Sequence, residues 1–188
     1  MTTEQLYSEL NYVNHTREKR LQYAKMIKSN PNLIPNLLDV LFMVDDKTSL
    51  RAAWVFEFMC NEDITVIIPY LDRFTENMNK VHLDSAVRPV AKICEFLAKA
   101  YTAKIDNPIK NVLSDTYKER IIETCFDYMI NDEKIAPKAY SMNTLFLLGK
   151  EYDWVHPELA LILERDFQMQ SSGFKARARH ILKKIKKH

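Results

Sequence analysis

The sequence predicts an all-α chain assembled from repeated helical hairpins. Three observations carry that prediction. Glycine is nearly absent, with only Gly149 and Gly173 in 188 residues, and a helix interior disfavours glycine by about 1 kcal/mol relative to alanine. Apolar residues recur at intervals of three and four along most of the chain, as an amphipathic helix requires. A basic residue followed two or three positions later by a small one returns four times. The two glycines also exclude functions. Dinucleotide fingerprints and Walker A loops need clustered glycines to bring backbone against phosphate, and tight Asn-Gly or Asp-Gly hairpins are absent.

The expected helices are 3–13, 16–29, 32–44, 48–60, 64–79, 84–101, 116–130, 134–151, 157–169 and 173–186. Leu33, Leu37, Val40, Leu41 and Val44 stripe the third. Asn30-Pro31 opens it with a proline where the missing N–H costs nothing. Ile64, Ile67, Ile68 and Leu71 stripe the fifth; the β-branched run also suits a short strand, and Pro69 with the amphipathic stretch beyond it favours a kinked helix. Ile121, Ile122, Cys125 and Met129 mark the seventh, and Thr116 with Glu119 has capping-box spacing. Leu159, Ile162, Leu163 and Phe167 mark the ninth, opened by His156-Pro157. Asp63, Ser114 and Ser171 suit N-caps.

The repeats set the organisation. Ile34-Pro35-Asn36-Leu37 returns as Ile68-Pro69-Tyr70-Leu71 and is echoed by His156-Pro157-Glu158-Leu159. Arg51 with Ala53, Arg88 with Ala91, Lys138 with Ser141 and Lys175 with Ala178 are the basic–small pairs, their small residues 38, 50 and 37 apart. Small side chains let a second helix pack close to its neighbours. The long interval matches a 13-residue insertion, 102–114, with the turn signal Asp106-Asn107-Pro108. We therefore expect one domain, 1–188: an N-terminal helical pair over 1–30, hairpins over 31–62, 63–101, 115–153 and 154–188, and an insertion loop over 102–114.

Hairpins of this length, with a proline in the first helix and a basic–small pair in the second, resemble HEAT and armadillo-type repeats, over about residues 31 to 188. Gly173-Phe174-Lys175-Ala176-Arg177-Ala178-Arg179 resembles the second helix of a HEAT unit. The repeats are degenerate, and the third lacks the proline. The resemblance implies a right-handed α-α superhelix, or solenoid, of about five hairpins whose second helices line a concave partner-binding surface, and it implies no catalytic residue. Ser171-Ser172-Gly173-Phe174-Lys175 shares serines and a lysine with the signature loop of adenylosuccinate lyases but lacks its Met-Pro, so a metabolic enzyme of that kind is not supported.

Candidate residues follow. Arg51, Trp54, Glu57, Arg88, Glu95, Lys138 and Tyr140 are expected to face a partner. Trp54 suits either an interface anchor or core packing. Trp154 is expected to plug the joint between two helices. Glu57 and Glu95 occupy matching places; they suit an acidic row that binds a basic partner or shares a proton, and read better as a solvated face, Glu95 pairing with Lys99 four residues on. Lys175, Arg177, Arg179, Lys183, Lys184, Lys186 and Lys187 form a basic surface without an acid, whereas residues 1–174 carry a net charge of −5. That helix suits a polar cap on the array or phosphate contact.

Cys60, Cys94 and Cys125 sit among apolar neighbours and read as reduced, buried thiols. His15, His82, His156, His180 and His188 show no metal-ligand spacing, and no Gly-x-Ser-x-Gly elbow exists. The N-terminus lacks a basic, apolar leader, and no window approaches 18 uninterrupted apolar residues. The expected protein is therefore a cytoplasmic, non-enzymatic interaction module. No cofactor, metal, membrane segment or small-molecule ligand is implied. Its expected partner is a protein, with nucleic acid as the alternative, in the manner of HEAT-like DNA-repair glycosylases.

Overall fold

The computed structural model describes residues 1–187; His188, the end of the last expected hairpin, lies outside the described residues. The described residues hold eleven α-helices and three 3₁₀ helices joined by turns and short loops, and no strand occurs among them. The chain is all-α. It forms two compact units, Met1–Ile93 and Cys94 to the C-terminal end, and the division falls within its longest helix.

The first unit begins with α1 (Thr3–Leu10) and α2 (Arg17–Lys28). A capping box starts α1, with Thr2 Oγ1 accepting from the Gln5 N–H and the Gln5 side chain accepting from the Thr2 N–H. The third expected helix divides into a 3₁₀ turn over Pro31–Leu33 and α3 (Ile34–Leu41). Next comes α4 (Lys47–Glu62), capped by Asp46, whose carboxylate accepts from the Thr48 N–H. The β-branched run is helical: Ile64–Tyr70 is a 3₁₀ turn containing Pro69, followed by α5 (Leu71–Asn77) and a 3₁₀ turn at Met78–Lys80. Proline denies the run one N–H, and Asp63 caps its start by accepting from the Thr65 N–H. α3 packs on α1 and α4, and α4 also packs on α2. Phe56 and Phe74, both fully buried, meet at 6.0 Å.

α6 (Asp84–Tyr101) begins in the first unit and enters the second. The expected insertion holds a helix of its own, α7 (Pro108–Val112), with proline in its first turn and Asn107 as cap. Ile109 and Leu113 are buried, so this stretch is anchored rather than loose. α8 (Asp115–Ile130) and α9 (Ile135–Leu148) form one hairpin, and α10 (Val155–Asp166) and α11 (Ser172–Ile185) the next. α9 is central, packed on α8, α10 and α11. Ser114 precedes α8, so the expected Thr116–Glu119 box lies inside the helix instead of at its cap.

The small residues of the repeats behave as close packing demands. Ala53, Ala91, Ser141 and Ala178 all have zero exposure. Ser141 fits sterically but strands its hydroxyl, which has no hydrogen-bond partner among the described residues.

Candidate interaction surface

In the first unit, helical spacing puts Arg51, Trp54, Glu57 and Phe58 along α4, and Arg88 and Lys92 one turn apart on α6. Glu57 is 2% exposed, which overturns the solvated reading of this carboxylate. Its Oε2 accepts from Arg88 Nη2 and its Oε1 from Lys92 Nζ, both at 2.7 Å. A buried carboxylate is tolerable only when such cations satisfy both oxygens. Arg51 lies one turn and a half back and donates to Asn11 Oδ1 instead.

Trp54 has a structural duty. Its Nε1–H donates to the Ser85 carbonyl at 2.8 Å. Ser85 is four residues before Pro89, and within α6 its carbonyl would ordinarily accept the N–H of residue 89. Proline has none. The indole replaces the missing donor, tying α4 to the proline position of α6.

The other face of this cluster comes from α2. The Arg20 guanidinium lies 4.6 Å over the Trp54 ring and 5.9 Å from the Phe58 ring. Arg17 approaches Phe58 at 5.9 Å. Arg20 Nη2 donates to the His15 carbonyl, while its buried Nε–H finds no acceptor among the described residues. Burial lowers the Arg20 pKa, and repulsion from Arg88 adds to that effect against attraction from Glu57. Arg17, Arg20, Phe58 and Lys92 were not among the sequence candidates. Phe58 and Lys92 follow Trp54 and Arg88 at i+4, a usable signal; nothing in the spacing of Arg17 and Arg20 announces their packing against α4.

In the second unit, Glu95 is 6% exposed, so it is not solvated either. Its expected pair with Lys99 forms at 2.9 Å, and Asn143 Nδ2 donates to its other oxygen at 2.9 Å. Lys138 is buried on α9. Arg165 first, and Lys138 at longer range, hold the Asp166 carboxyl below its ordinary range. Tyr140 is half-buried. Among the described residues Glu95, Lys138 and Tyr140 share no hydrogen bond with one another. A different node was missed: buried Lys118 donates to Glu151 at 2.8 Å, Asp115 at 2.9 Å and the Tyr101 hydroxyl at 2.9 Å, with its Nζ 4.5 Å from the Tyr101 ring. Burial opposes its charge, but these partners outweigh it and push the ammonium pKa up.

The basic helix α11 buries Phe174, Ala178 and Ile181. Ser171 caps it, accepting from the Phe174 N–H. Arg177, Arg179, Lys183, Lys186 and Lys187 are exposed, and Lys175 and Lys184 are half-buried. Arg179 lies 5.3 Å over Phe167, and Lys184 Nζ lies 5.2 Å over Phe146. Trp154 does not plug a joint: it is 53% exposed and stacks on Phe126 at 5.5 Å, because the residue before α10 lies at the surface. His156 stacks on Phe146 and sits 2.9 Å from its carbonyl. All three cysteines are buried thiols outside any disulfide. Among the described residues no three His, Cys, Asp or Glu side chains converge as metal ligands, and no helix is long and apolar enough to cross a membrane.

A family model described as a HEAT repeat domain matches residues 8–185. No curated protein and no solved structure matches the chain.

Proposed function

The chain belongs to the HEAT repeat domain family, and we propose that it is a non-enzymatic protein-interaction module whose partner docks on the first unit over Arg51, Trp54 and Arg88. The observation that carries this reading is the assembly of arginines and aromatic rings around the buried Glu57. Arginine and tryptophan dominate interface energetics when packing already holds them in place. Glu57 supports that surface from beneath. In the second unit Tyr140 is the proposed contact, while Glu95 and Lys138 are buried. Three buried thiols outside any disulfide suit a reducing compartment, so we place the module in the cytoplasm.

Charge reversal at Arg51 tests the surface. Among the described residues the hydrogen bond of Arg51 goes to the exposed Asn11, and its charge acts on the Asp46 carboxylate as the smallest of that group's influences. Arg51→Glu should therefore lower partner capture from native lysate about tenfold while moving the melting temperature by no more than about 2 °C. Capture that survives Arg51→Glu combined with Arg17→Glu places the interface elsewhere. Arg88→Glu is a poor probe, because removing one cation from a buried pair costs about 3–5 kcal/mol and would unfold as well as unbind.

Nucleic acid is the alternative partner, favoured by the exposed positives of α11. The net charge of −5 over residues 1–174 opposes it, and Arg20 already covers one face of Trp54. Duplex binding with a steep salt slope would favour this reading over the first.

A further inference from the structure

In the cluster on α2, α4 and α6, Arg20 lacks a paired carboxylate among the described residues. Arg20 and Arg88 both lie within electrostatic range of the Glu57 carboxylate, and Arg17 stands beside them on Phe58. Both Glu57 oxygens are taken by Arg88 and Lys92. Arg20 is left over: among the described residues no carboxylate pairs with it, and its Nε–H is buried without an acceptor. A guanidinium normally directs that N–H into a bidentate pair with a carboxylate or phosphate. Here the group is already held in position by Trp54, Phe58 and the His15 carbonyl, so little side-chain freedom remains to be lost on binding.

We propose that Arg20, backed by Arg88 and Arg17, forms an oxyanion site that takes a carboxylate or phosphate group presented by a protein partner. The proposal rests on the docking surface above and names its chemistry: an acidic or phosphorylated side chain. Two features favour it. An added anion would give Arg20 the counter-charge that no carboxylate supplies among the described residues, and it would offset the burial and the repulsion from Arg88 that together disfavour its charge. Nearby Trp54 is fixed by its bond to the Ser85 carbonyl, so it serves as a rigid wall and as a reporter.

The test uses that reporter in the full chain. Trp154→Phe leaves Trp54 as the sole tryptophan. Its emission is followed while inorganic phosphate, acetate or chloride is added at matched ionic strength. Phosphate or acetate should produce a saturable change that chloride does not, and the anion saturating at lower concentration tells a phosphorylated side chain from an acidic one. Arg20→Gln should weaken that response at least tenfold with the helical circular dichroism unchanged. A response to chloride equal to that of the oxyanions, no saturation with either oxyanion, or an undiminished response in Arg20→Gln would overturn the proposal. Failure here with continued loss of capture in Arg51→Glu removes the oxyanion site and leaves the docking surface standing. Failure of both removes the surface.

Discussion

Gly149 stands at the end of α9 with ordinary right-handed φ, so its need for glycine is not conformational. It is a matter of space. A Cβ there would lie 2.6 Å from His156 Cδ2, 2.6 Å from the Leu145 carbonyl oxygen and 2.8 Å from Val155 Cγ1. His156 cannot retreat easily, since its ring is stacked on Phe146 and bonded to the Phe146 carbonyl. Gly149→Ala should therefore destabilise by about 1–3 kcal/mol, the usual range for overpacking. Gly173 differs. It lies in the first turn of α11, and the nearest atom to an added Cβ is Ile135 Cγ2 at 3.8 Å. Gly173→Ala should stabilise by about 0.5–1 kcal/mol through a less flexible unfolded chain and better helix propensity. Thermal melts of the two variants should shift in opposite directions, and a shared sign would contradict the steric account. The near-absence of glycine was legible as helix, but which of the two survivors is obligatory was not. That depends on His156, seven residues away and folded back over the helix end.

At the level of elements, α6 shows how a local fault becomes a tertiary link. Pro89 removes one N–H from the helix, and Trp54 of α4 supplies the donor to the Ser85 carbonyl. Trp54→Phe should cost about 1 kcal/mol, toward the lower end for a lost acceptor partner because Ser85 is exposed and water can substitute. In a Pro89→Ala background the helix regains its own donor, so the same change at Trp54 should cost measurably less. Denaturant melts of the four proteins give the coupling, and additive losses would show that the indole bond and the proline are unrelated. Apolar periodicity and the small residues at 53, 91, 141 and 178 announced the second helices, because burial by helix packing leaves a local, periodic trace. The break at Pro69 was legible as a kink. The short helix at Pro108–Val112 was not, its single turn being too brief to show a period. The carboxylates misled for a related reason. Glu57 and Glu95 look like a solvated face in isolation, and only their cross-helix partners Arg88, Lys92 and Asn143 make their burial possible.

Across the whole molecule, ionisable groups define a pH window for the folded state. Several carboxyls are held below their ordinary value of 3.8: Asp46 by the Thr48 N–H and then Tyr7, Asp63 by Thr65, Asp115 by Lys118 and Asp166 by Arg165. A depressed carboxyl adds stability above its unfolded value and forfeits it as pH falls through the folded one, so the acid limb should begin below about pH 4. Other groups are displaced upward. Burial raises the Cys60 thiol above 9.0 and the Tyr128 hydroxyl above 10.0, and the bond with Cys125 together with burial raises Cys94. Lys118 is raised above 10.5 by its three oxygen partners, against the effect of burial. Each raised group contributes fully below its unfolded value and loses that contribution as pH climbs through its folded one, which places the alkaline limb above about pH 9. The melting temperature should accordingly be flat between about pH 5 and about pH 8.5 and fall on both sides. Tyr128→Phe should flatten the alkaline limb and leave the acid limb alone, while Asp46→Asn should do the reverse. Calorimetry across the range checks both. A melting temperature already falling between pH 6 and pH 8, or a Tyr128→Phe profile parallel to the parent above about pH 10, would show that these groups do not set the window.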